Sequence, residues 1–134
     1  MDVETIRRKA LAARQFDVPA GPGVFSLRVP TKLEAQLAYV RSATHDGARD
    51  PAAMLRTQRA LLVGAIVGWT GVLGCHVLDG LAATDADKAE PLPFDASVVE
   101  LLLDAQPDWE QTLSTALVER INARSAVEDT AAKN

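Results

Sequence analysis

The sequence holds one cysteine, two histidines and six aromatic residues among 134, and each shortage closes off a kind of chemistry. Cys75 has no internal disulfide partner, so a reducing cytoplasm is the simplest compartment. A zinc site needs three or four ligands, and beside the adjacent pair Cys75-His76 only His45 remains. The same adjacency keeps the two side chains from converging as nucleophile and base, so the expectation is an ordinary turn carrying a small buried cysteine. Aromatics are too few to interleave with the basic cluster Arg7, Arg8, Lys9 and Arg14, and with a pI near 5.1 the chain does not read as a nucleic-acid module. The glycines of Pro19-Ala20-Gly21-Pro22-Gly23 are not followed by a helix opening on Lys-Ser/Thr, so they read as a turn rather than a phosphate loop. The opening MDVETIRRKALAARQ carries charges with no apolar core behind them, so no secretory signal is expected. Asp104, Asp108 and Glu110 cluster at a predicted helix junction, where carboxylates serve capping and dipole complementarity rather than acid–base work. No constellation supports catalysis, a metal or a cofactor, and the chain is expected to work by contact.

What is present is aliphatic. Hydrophobic residues make up 48% of the chain, enough for one domain with a modest core of Leu, Val, Ile and Ala. Residues 1–60 carry ten Lys or Arg against six Asp or Glu, and residues 61–134 carry four against twelve. Copies could therefore attract one another head to tail, the acidic half could meet a basic partner, or the surface is simply polarised. The longest uncharged run, ALLVGAIVGWTGVLGCHVL from Ala60 to Leu78, is nineteen residues and holds the small-xxx-small spacing Gly64 to Gly68. Its glycines at 64, 68, 71 and 74 would weaken a single helix by about 1 kcal/mol each. The apolar stripe also begins upstream, at Met54 and Leu55. A buried central helix is thus the better reading than a membrane span, with Gly68 permitting close packing and Gly71 taking a backbone conformation open mainly to glycine.

Period and punctuation predict a mainly α protein, a small helical domain with one N-terminal β-hairpin. The hairpin lies near 16–29, around the Pro/Gly turn. Helices are predicted near 2–14, 31–44, 51–69, 95–105 and 107–125. Thr31-Lys-Leu-Glu34 forms a capping box, with Leu33, Leu37 and Val40 marking a buried face behind it. His45 to Asp50 (HDGARD) is a polar turn, with Asp50 as N-cap before Pro51. The single domain 1–134 then divides into an N-terminal helix and hairpin (1–30), a helical core (31–125) interrupted by a mobile acidic loop at 79–91, and a frayed tail (126–134).

Two segments carry a resemblance. Val67-Gly68-Trp69-Thr70-Gly71-Val72, followed by Leu92-Pro93-Phe94-Asp95-Ala96 and the leucine run Glu100 to Pro107, resembles the tail assembly chaperones of long-tailed (siphovirus or Mu-like) bacteriophages. Leu27 to Thr31 is similar to the family's strand-to-helix entry. The likeness runs from about residue 24 to 134, carried by element order more than by any one motif; the acidic linker Asp79–Glu90 is longer than the family pattern. Trp69, Gly71, Pro93 and Phe94 are the motif residues. The resemblance implies a homo-oligomer in the host cell cytoplasm, without a cofactor. It would bind the tape measure protein, assist tail tube protein assembly around it, and be absent from the finished virion. Lys133-Asn134 is compatible with an A-rich codon run of the kind at which family members slip into a longer form. Leu101, Leu102, Trp109, Leu113 and Leu117 are the expected client-binding residues, Trp69 and Trp109 being either core anchors, the favoured role, or partner hot spots. The alternatives are a virion structural protein, such as a head-tail joining or tail-completion subunit, and a small membrane protein spanning at 60–78.

Overall fold

The computed structural model describes residues 1–42, 51–78 and 84–133. Helix α1 (Val3–Ala12) leads into strands β1 (Gln15–Ala20) and β2 (Gly23–Arg28), which pair antiparallel from Gln15 opposite Arg28 to Ala20 opposite Gly23. This is the expected hairpin. Gly21 makes its turn at φ 57°, and a side chain there would drive into the Trp109 indole. Pro19 sits on an edge strand, where a missing N–H can face out of the sheet.

The chain then runs through α2 (Lys32–Ser42) and α3 (Pro51–Ala65) into a third strand, β3 (Ile66–Thr70), which pairs antiparallel with β2. The helix expected over 51–69 therefore stops four residues early. The reason is a bulge. Ser26 faces Gly68 and Leu27 faces Ile66, leaving Val67 as the extra residue, so Ile66 and Trp69 turn to the same buried side although three positions apart. That spacing mimics a helix. Beyond β3 come a short 3-10 turn (Gly74–His76), α4 (Asp85–Ala89), a 3-10 turn (Ala96–Val98), α5 (Val99–Ala105) and α6 (Pro107–Lys133). Among the described residues no helix is long and apolar enough to cross a membrane.

Three further differences have local causes. The expected loop at 79–91 contains α4, because Thr84 caps the Asp87 amide and Asp87 returns the bond. The last helix does not end near 125: no glycine or proline stops it after Arg124, and the Arg124–Glu128 pair at 3.2 Å spans the next turn. Gly64 and Gly68 form no close-packed stripe, since a Cβ at Gly64 would meet nothing within 4 Å and one at Gly68 would sit 3.8 Å from Ser26 Cβ. The Thr31–Glu34 capping box is present in both directions at 3.1 Å. The predicted turn at 45–50 and the Asp50 cap lie outside the described residues.

The core forms where one face of the sheet meets α3, α5 and α6. Phe25, Leu27, Leu62, Leu102, Leu103 and Leu113 are essentially sealed from solvent, and Val18, Ala20, Ile66 and Trp69 complete the sheet's contribution. Truncating one of these leucines to alanine is worth about 2–5 kcal/mol.

Candidate interaction surface

The motif residues act as a clasp. Trp69 projects from β3, its indole N–H donates to the Leu92 carbonyl at 2.9 Å, and the Phe94 ring meets it edge-on at 5.0 Å between centroids. Backbone bonds from Leu92 N–H to Val72 O (2.8 Å) and from Gly74 N–H to Glu90 O (2.9 Å) hold the two segments side by side. Gly71 turns the chain between them at φ 77°, where a Cβ would lie 2.7 Å from the Pro22 carbonyl oxygen. Pro93 is exposed beside Phe94. The Trp-x-Gly and Pro-Phe segments are thus joined, by packing rather than by chemistry. Trp69 is a core residue. Trp109, partly buried, packs edge-on to Phe25 (6.1 Å) and to His76 (4.9 Å).

The Cys75-His76 pair does not gather a site. Cys75 is exposed, not buried as expected, because the 3-10 turn carries it outward while His76 packs on Trp109 and accepts the Leu73 N–H at Nδ1 (2.9 Å). His45 lies outside the described residues, and among those described no three His, Cys, Asp or Glu side chains converge as metal ligands do.

Four of the five expected client-binding residues point inward. Leu102, Leu113 and Leu117 are buried in the core and Trp109 packs against it. Only Leu101, 57% exposed, faces solvent. The leucine-rich helices lie against the sheet, and their stripes are spent on folding. The reverse holds on α2, whose predicted buried face is open: Leu33 is 64% exposed, Leu37 42% and Val40 66%. This helix packs on α3 through Ala38 instead. Met54 and Leu55 of α3 are likewise exposed. Spaced i, i+4, i+7, the α2 residues form the ridge that one helix offers to another.

Between α3 and α6 lies an open groove of about 600 Å³ lined by Leu55, Gln58, Gln111, Ser114, Thr115 and Val118 among others. Arg59 anchors one end. Its guanidinium donates to Glu110 through Nε and, at 2.8 Å, through Nη2, and to Asp104 through Nη1 at 2.8 Å. The hydrogen bonds to Glu110, and secondarily Asp104, hold the Arg59 pKa above its ordinary value against the opposing effect of burial. Asp104 and Glu110, read from sequence as helix-end carboxylates, are therefore partners of an arginine about fifty residues upstream, a pairing that no local spacing signals. The chain matches no family model, no curated protein and no solved structure.

Proposed function

We propose that this protein is a tail assembly chaperone of a long-tailed bacteriophage. It holds the tape measure protein soluble in the host cytoplasm and hands it to the assembling tail tube. The observation that carries the reading is the outward ridge Leu33, Leu37 and Val40 on α2, with Met54 and Leu55 of α3 exposed as well. A core complete without these residues leaves them free to cover apolar stripes of a long helical client. An excess of negative charge over residues 61–134 keeps the loaded protein in solution. A second support is that Trp69 and Phe94, from the two segments on which the resemblance rests, touch.

The test is co-expression with the cognate tape measure protein. Wild-type protein should keep that client soluble, and a Leu33→Asp/Leu37→Asp/Val40→Asp variant should not. Because the three residues face solvent, the variant should melt within about 0.5 kcal/mol of wild type. Equal client precipitation with and without the wild-type protein would remove the assignment, and a stoichiometric band in purified virions would put a structural subunit in its place.

A further inference from the structure

Arg120, Ala123, Arg124 and Val127 recur at i, i+3, i+4 and i+7 and so share one face of α6. With Arg14 and Phe16 at the start of the hairpin and Val29 at its end, that face lines an open pocket of about 240 Å³. By helical phase it lies on the opposite side of α6 from Gln111, Ser114, Thr115 and Val118 of the α3/α6 groove. Two of the four cations in the acidic stretch 61–134 thus join Arg14 at one pocket, and no carboxylate is among the residues that line it.

Each guanidinium is held in place and keeps donors to spare. Arg14 donates through Nε to Val29 O and through Nη2 to Pro30 O, both at 3.0 Å, which leaves Nη1 unbonded among the described residues. Arg120 lies over the Phe16 ring, Cζ 4.6 Å from its centroid, and makes no ion pair among the described residues. A guanidinium held by an aromatic face keeps its N–H donors for other acceptors. Arg124 Nε is 3.2 Å from Glu128 Oε1, yet it is sealed from solvent without a hydrogen bond, a buried donor that lacks its acceptor. Glu128 does not neutralise the group, because Lys32 Nζ also contacts it, at 3.9 Å.

We infer that this pocket binds a small phosphate monoester. Such a group is close to a dianion at neutral pH, its second pKa being about 6, and it offers three strong acceptor oxygens to guanidinium donors. A carboxylate, with a single charge, would leave the arginines in excess. Phe16, Val29, Ala123 and Val127 give the ester's carbon substituent an apolar wall. The volume keeps that substituent small, since drug-sized ligands occupy roughly 300–1,000 Å³. The site is independent of the chaperone reading, whose ridge is on α2.

Isothermal titration calorimetry of the full chain with phenyl phosphate tests it. Saturable binding is expected, tighter than that of inorganic phosphate, which has no ring, and about ten-fold tighter than that of benzoate, which has the ring but one charge. Arg120→Gln and Arg124→Gln should each weaken phenyl phosphate binding by about ten-fold. Arg7→Gln/Arg8→Gln, which removes more charge from α1 outside the pocket, should leave it unchanged. Val127→Glu, at a position 69% exposed, sets a carboxylate in the wall and should weaken binding with all three arginines kept. Circular dichroism should show every variant folded. No saturable binding at millimolar phenyl phosphate overturns the inference, as does full affinity in the Arg120 and Arg124 variants. Benzoate or inorganic phosphate binding as tightly overturns the choice of a phosphate monoester, and an equal loss in the α1 variant reduces the effect to general charge attraction.

Discussion

At the scale of single residues, glycines separate what composition alone confuses. Gly71→Val places a side chain at φ 77° against the Pro22 carbonyl and should cost about 1–3 kcal/mol in urea denaturation. Gly68→Ala, with 3.8 Å of room to Ser26 Cβ, should stay within about 0.5 kcal/mol of wild type. Equal losses at both positions would show that the bulge is as sensitive as the turn. Asp95 offers a pH signature. Its carboxylate accepts from the Ser97 hydroxyl (2.6 Å) and backbone N–H (2.8 Å), and these bonds, the hydroxyl's first, hold its pKa below the usual aspartate value. A depressed folded pKa means that the cap stabilises above the unfolded value, near 3.9, and is lost as pH falls through the folded one. An Asp95→Ala variant should therefore melt lower than wild type at neutral pH, with the difference closing in strong acid; a gap constant with pH would assign the effect to something other than the charge.

At the scale of elements, legibility followed how local each determinant is. The hairpin, the Thr31–Glu34 box and the break at Gln106-Pro107 rest on neighbours in sequence, and all were readable. β3 was not, because a bulge at Val67 gives Ile66 and Trp69 the i, i+3 spacing of a helix. Nor was the outward turn of α2: periodicity shows that Leu33, Leu37 and Val40 share a face, but not which way the face points. The residues expected to meet a client were accordingly read from stripes that the structure buries, since those of α5 and α6 pack on the sheet. Arg59 tests how three helices are held. It links α3 to α5 and α6 with 30% of its side chain exposed, against 25% for Glu110 and 65% for Asp104. A double-mutant cycle of Arg59→Met with Glu110→Gln should give a coupling of about 1–2 kcal/mol, and one with Asp104→Asn less than about 0.5 kcal/mol. Equal couplings would mean that solvent exposure does not order the two pairs.

At the scale of the whole molecule, both tryptophans stand in one ring system: Trp69 packs edge-on to Phe25 at 5.9 Å, and Phe25 to Trp109 at 6.1 Å. One indole comes from the sheet and one from the start of the last helix, and they are the only two in the chain. The protein consequently carries two intrinsic fluorophores that report different elements of the same core. Single-tryptophan variants, Trp69→Phe, which keeps Trp109, and Trp109→Phe, which keeps Trp69, would follow the helix and the strand respectively. If hairpin, third strand and terminal helix melt as one cooperative unit, each variant's emission curve should superimpose on its own far-ultraviolet dichroism curve. Emission leading dichroism in only one of the variants would divide the core into two units that loosen in turn. The optical signal that reads folding would then also tell which half of the core yields first.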